Sequence, residues 1–187
     1  MRPSVTAFIQ ARHYRPVHGG RRVRLVVLHS AEVPEKPEAA IAVAKWFAGP
    51  DSPQASAHYC IDHRNTVQCV LEDDVAWAAP GANHDGIQIE LAGYARQIPE
   101  DWTDTYSSAM LLRAATLVAF ICADYRIPAV PLTAADLITG ASGITTHAAV
   151  TEAYRKSTHT DPGRGFPMGK FVSMVADLIP RPVSIGG

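Results

Sequence analysis

The chain has 187 residues, enough for one domain with an ordinary buried core, and 47% of them are hydrophobic. Its 17 basic and 18 acidic residues leave a formal net charge of -1, with no basic block of the kind that binds nucleic acid. Three cysteines, an odd count without a CxxC pair, argue against a disulfide framework, whereas eight histidines leave room for a metal site.

Residues 1–22, rich in Arg, His and Pro, read as an arm lying on the domain, and the first ten lack the long apolar core of a signal peptide. The stretch Val23-Arg24-Leu25-Val26-Val27-Leu28-His29-Ser30 follows. Its four unbroken apolar residues suit a strand buried on both faces, at the centre of a sheet covered by helices. The run stops at His29, and ligands in open α/β sheets bind beyond the carboxyl ends of strands. A histidine hydrogen-bonded in the core is the alternative at this point.

Residues 32–37 form a proline-broken loop, and residues 38–48 read as a helix stopping at Gly49-Pro50. Two short strands, 57–62 and 66–71, are joined by His63-Arg64-Asn65. A hairpin with Asp62 facing Val67 puts Cys60 opposite Cys69, and both are expected to be reduced and packed as small apolar residues. Residues 75–79 lead into a Gly- and Asn-bearing loop, 80–86. The strand 87–91 then alternates in period two, so Gln88 and Glu90 share a face.

The longest helix is expected over residues 104–125, where Tyr106, Met110, Ala114, Leu117, Ile121 and Tyr125 form one core-packing stripe. No apolar run reads as long enough to span a bilayer, so membrane insertion is not expected. Residues 131–141 hold at most one helical turn, and Gly143-Ile144-Thr145-Thr146-His147 is read as a short turn into His147. Ser157-Thr158-His159-Thr160-Asp161-Pro162-Gly163 has the chemistry of a turn. A final helix spans 166–178, and 180–187 reads as the start of a linker. The expected organisation is an arm (1–22), one domain (23–179) and a tail (180–187).

His29, His147 and Asp161 could form a two-histidine, one-carboxylate set, the arrangement of catalytic zinc with an open fourth position. Spacing alone does not select these three from eight histidines. The order of the motifs adds more. Leu25-Val26-Val27-Leu28-His29-Ser30, Ser56-Ala57-His58-Tyr59-Cys60-Ile61-Asp62 and Val75-Ala76-Trp77 are followed by Gly86-Ile87-Gln88-Ile89-Glu90-Leu91, Gly143-Ile144-Thr145-Thr146-His147 and Thr158-His159-Thr160-Asp161-Pro162-Gly163. In that order the chain resembles the type 2 N-acetylmuramoyl-L-alanine amidases, whose fold is shared with peptidoglycan recognition proteins and is common in bacteriophage endolysins.

The resemblance implies an α/β fold, a mixed central sheet flanked by helices in a single domain. It implies zinc held by His29, His147 and Asp161, with Glu90 as general base toward the attacking water. The substrate is then peptidoglycan, cut at the amide between N-acetylmuramic acid and L-alanine, by a protein expected to be monomeric. Trp77 and Asn83 match positions that line the substrate groove in relatives. Two positions depart from the pattern. His159 stands where the family often has a lysine that steadies the oxyanion, so its charge depends on pH. Ala57 stands where some members carry a tyrosine, which leaves more to Glu90. His58, His63 and His84 read as structural or surface residues, and His13 and His18 belong to the arm. The alternatives are a binding module that has lost catalysis and a cytoplasmic amidase recycling wall fragments. The absent signal peptide fits both that recycling amidase and an endolysin made in the cytoplasm and released to the wall through a holin. The Pro- and Gly-bearing tail, read as leading to a wall-binding domain, favours the endolysin catalytic domain.

Overall fold

The computed structural model describes residues 5–179; the expected tail at 180–187 lies outside them. In chain order the elements are β1 (Ala7–Phe8), β2 (Tyr14–Arg15), β3 (Leu25–Ser30), α1 (Ala39–Ala48), β4 (Tyr59–Ile61), β5 (Thr66–Gln68) and β6 (Val75–Ala76). Then come β7 (Gly86–Leu91), α2 (Thr105–Tyr125), α3 (Ala134–Ile138), β8 (Gly143–Thr146), α4 (His147–Tyr154) and α5 (Met168–Leu178). Six strands form one mixed sheet in the order β1-β5-β4-β7-β3-β8, and β2 pairs with β6 separately.

Strand β3 is buried along its whole length because both of its edges and both of its faces are covered. Val26 and Leu28 pack with Ile87 and Ile89 against Met110, Leu117 and Phe171 of α2 and α5. Leu25 and Val27 point the other way, toward Leu132, Leu137 and Val150. Helix α1 covers the rest of that second face, with Ala40, Val43 and Phe47 over Cys60 and Val67. Alternation along a strand therefore puts His29 on the side of Leu25 and Val27, away from α2.

The expected core stripe of α2 is present, and the Asp104 side chain caps the helix by accepting from the Ser107 N–H at 2.7 Å. On length and composition α2 is long and apolar enough to cross a bilayer, a point the sequence reading missed. In the fold its apolar residues fill the core instead.

Three further features correct the local reading. Residues 143–146 are a strand parallel to β3 rather than a turn. Gly143 makes this possible, since a Cβ there would meet the Val130 carbonyl oxygen at 2.7 Å. The β4–β5 hairpin is shifted by two residues, so Cys60 faces Val67. The cause is Asp62, whose Oδ1 accepts the N–H groups of Arg64 and Asn65 at 2.7 Å each and so tightens the turn. Cys60 and Cys69 become diagonal neighbours with Sγ atoms 3.7 Å apart, and all three cysteines are free and buried. Part of the arm, finally, is woven into the sheets: Ala7–Phe8 runs parallel to β5, and Tyr14–Arg15 pairs with β6.

His58 is structural, as expected. Its Nδ1 accepts the Gln88 N–H at 2.9 Å, which places the ring proton on Nε2, 3.1 Å from the Asp74 carbonyl. Burial first, and then the Arg21 guanidinium, push its pKa down to about 3. An unfolded histidine titrates near 6.5. Between those values the unfolded chain binds a proton that the folded one excludes, so stability is complete above the unfolded pKa and is lost as pH falls toward 3. The loss reaches about 1.4 kcal/mol per pH unit. Denaturant midpoints between pH 7 and pH 4 should show this slope in the wild type and a shallower one in His58→Gln. Equal slopes would remove His58 as the cause.

Candidate metal centre

Three adjacent parallel strands end at the same edge of the sheet, and each delivers one residue. His29 is the last residue but one of β3, Glu90 sits directly across from it on β7, and His147 opens α4 immediately after β8. The Thr146 hydroxyl accepts the Ala149 N–H and starts that helix, fixing where His147 leaves the backbone. Asp161 arrives on the 157–163 segment, and its carbonyl accepts the Ala148 N–H at 2.9 Å. Two glycines press that segment onto residues 95–97. A Cβ at Gly163 would lie 1.8 Å from the Ala95 carbonyl oxygen, and one at Gly165 2.1 Å from that of Gln97.

The side chains meet closely. Asp161 Oδ2 is 3.1 Å from His29 Nδ1, and its Oδ1 is 3.1 Å from His147 Nδ1. One ligand atom from each of His29, His147 and Asp161 lies within 4.8 Å of the others, and all three residues are buried. On the far side of each ring stands a hydrogen-bond partner: Gln88 Oε1 is 2.9 Å from His29 Nε2, and Ser157 Oγ is 3.3 Å from His147 Nε2. Each imidazole can donate outward and turn a lone pair inward. Lone pairs and a carboxylate converging in a buried space repel unless positive charge stands among them.

The protonation equilibria report that demand. Burial alone would lower the pKa of His29, but the charge of Glu90 and then the Asp161 contact lift it to about 9. Burial would raise that of Asp161, yet the hydrogen bonds and charges of the two histidines hold its carboxyl far below the usual range. His147 is lowered, chiefly by burial. Two imidazoles and one carboxylate are a donor set that fits zinc.

Glu90 completes the group. Its Oε2 is buried without a hydrogen-bond partner. Burial raises its pKa to about 7, the charge of His29 opposes this, and those of Asp161 and Glu32 reinforce it.

These residues floor a cleft of about 290 Å³ whose apolar side is made by Trp77 and by Val43, Trp46 and Phe47 of α1. His159 stands at the rim with its side chain 66% exposed. Its ring stacks on His147 at 4.6 Å between centroids, with Nδ1 3.4 Å from Asp161 Oδ1. Asn83 lines an adjoining recess beside Trp77 and His159. Its Oδ1 already accepts the N–H groups of Ala78 and Ala79 at 3.0 and 2.7 Å, so only its amide nitrogen is left for a ligand. Sequence reasoning passed over Gln88, Ser157 and Trp46. The period-two pattern placed Gln88 on the face of Glu90, which was a usable signal; the other two carried none.

Residues 19–164 match the sequence profile of the N-acetylmuramoyl-L-alanine amidases. The chain belongs to that family. It is an amidase by that membership, and peptidoglycan is the substrate class of the family. No curated protein matches the amidase closely enough to count as a relative. Solved structures do match in fold. Staphylococcus aureus hydrolase AmiA, in complex with its ligand, is 14% identical with a TM-score of 0.69, covering 96% of the amidase and 84% of AmiA. The N-acetylmuramoyl-L-alanine amidase LysC from Clostridium intestinale is 14% identical (TM-score 0.60), with 93% and 98% covered. A mutant endolysin from Bacillus subtilis is 14% identical (TM-score 0.62), with 94% and 99% covered.

Proposed function

We propose that this amidase hydrolyses the amide joining the lactyl group of N-acetylmuramic acid to L-alanine, with zinc held by His29, His147 and Asp161. The observation that carries the reading is the convergence of those three side chains, within 4.8 Å, directly beside a buried and unpartnered Glu90 oxygen. Zinc at such a site supplies Lewis-acid polarisation and makes water acidic enough to attack near neutral pH.

The chain's own residues do the rest. Glu90 takes the proton of the attacking water and returns it to the departing alanine nitrogen. Its raised pKa suits both halves of that transfer. Trp77 and the α1 wall give the substrate a flat apolar surface and exclude water from one side of the cleft. Asn83 holds the wall's loop and offers its amide nitrogen to a carbonyl of the peptide. A binding module without catalysis fits less well, because both imidazoles, the carboxylate and Glu90 are all in place.

His159 acts from the rim as the donor to the developing oxyanion. His159→Ala should lower kcat about 10- to 100-fold with zinc retained. His159→Lys should restore rate relative to His159→Ala, because an ammonium can donate to the same oxyanion. A lysine variant no faster than His159→Ala would exclude the donor role.

We further propose an endolysin-type role, in which the domain is made in the cytoplasm and acts on the wall after release. The likeness to an endolysin supports this. Mass spectrometry of digested peptidoglycan decides the reaction: released stem peptides with free L-alanine amino termini, and intact glycan strands bearing lactyl carboxylates, are expected. New reducing sugar ends, or cuts within the peptide, would overturn it.

A further inference from the structure

Gln88 is a fully buried polar residue on β7, and everything around it limits how it can point. Its Nε2 donates to the Ala82 carbonyl at 3.0 Å. A backbone carbonyl only accepts, so the amide cannot be flipped, and Oε1 must be the atom 2.9 Å from His29 Nε2. An amide oxygen only accepts too. His29 therefore carries its proton on Nε2 and turns Nδ1 toward Asp161 and His147.

The surroundings hold this arrangement in place. A Cβ at Gly86 would sit 2.6 Å from the Ala82 oxygen and 2.9 Å from Gln88 Nε2, so glycine there leaves the room in which the two meet. The Ala82 loop is braced from the arm, where Arg21 Nη1 donates to the carbonyls of His84 and Gly86 at 2.8 and 3.2 Å. The Gln88 backbone N–H is tied to His58.

We propose that Gln88 is the positioning residue of the metal centre, selecting Nδ1 of His29 as its ligand atom by accepting the proton on Nε2. The inference rests on the zinc reading above and assigns to Gln88 the outer partner that ligating histidines require. Without that acceptor the ring is free to rotate or to change tautomer, and the pocket loses one inward lone pair.

The test uses zinc affinity, by competition with a chromophoric chelator, and nitrogen-15 NMR of the zinc-loaded protein. The wild type should show a metal-bound Nδ1 and a slowly exchanging Nε2 proton on His29. A metal-bound Nε2 would overturn the proposal whatever the variants do. Gln88→Leu, which keeps bulk and removes the acceptor, should bind zinc about 10- to 100-fold more weakly. Gln88→Glu as the neutral acid keeps both bonds, its hydroxyl donating to the Ala82 carbonyl and its carbonyl oxygen accepting from Nε2. It should keep the Nε2 proton and affinity within about three-fold of the wild type, a rescue that loss of packing alone would not give. Leucine binding within about two-fold of wild type, or glutamate failing to retain the Nε2 proton, would overturn the role. A wild type that takes up no zinc would sink the metal reading as well, whereas equal zinc in wild type and Gln88→Leu sinks the role of Gln88 alone.

Discussion

Glu90→Gln is expected to lower kcat by about 10²–10⁴-fold, roughly 3–5 kcal/mol of barrier, with zinc content and fold unchanged. The size follows from what the substitution removes. Glutamine has almost the same shape, so the strand pairing with His29 and Cys60 and the apolar floor stay as they are. Only the ability to take up a proton is lost. KM should move little, because Glu90 is not among the residues that make the apolar wall for the substrate. The wild type should also show an acid limb as the raised carboxyl becomes protonated, and the glutamine variant should lack it. Steady-state rates against pH, with zinc measured by mass spectrometry on the same samples, test all of this. A variant within a few-fold of the wild type excludes Glu90 as the base.

Removing the metal should also have a large effect. Chelation, or His29→Ala, should take activity below about a thousandth of the wild type, since the polarisation of the scissile carbonyl is lost entirely. His29→Ala also unbalances Asp161, which depends on both histidines to stay ionised while buried. A second readout separates metal loss from unfolding. Zinc held at the proposed site favours the folded chain, so at about 100 times its Kd it should stabilise the wild type by up to about 2.7 kcal/mol and leave His29→Ala unmoved. Calorimetry with and without added zinc measures the difference. Full turnover by metal-free His29→Ala would end the assignment.

The site and the fold were legible in the sequence to different degrees. His29 could be placed because a buried strand has no polar residue to spare, so one at its end must have a reason to be there. Strand alternation put Glu90 on one face with Gln88, and the resemblance singled it out as the base. His147 and Asp161 could not be chosen from composition or spacing, and it was the resemblance in motif order that brought them together. The β4–β5 register was misread because Asp62 closes the turn with two backbone hydrogen bonds, a preference that hydrophobic pattern does not express. The β8 strand was misread because its stability comes from lying against β3, far away in the chain, and from the space Gly143 leaves for Val130.

By itself the sequence determined the central buried strand, the long core helix and the shared face of Gln88 and Glu90 on their strand. Those depend on periodicity and on local hydrogen bonding, which neighbours in the chain supply. Tertiary structure alone decided the direction of the Gln88 amide, the serine behind His147, the tryptophan wall from α1 and the exposed stacking of His159. The atoms that orient His29 come from residues 59 and 132 positions away along the chain. Their distances are set by how strands and loops pack, and a linear pattern holds no record of that packing.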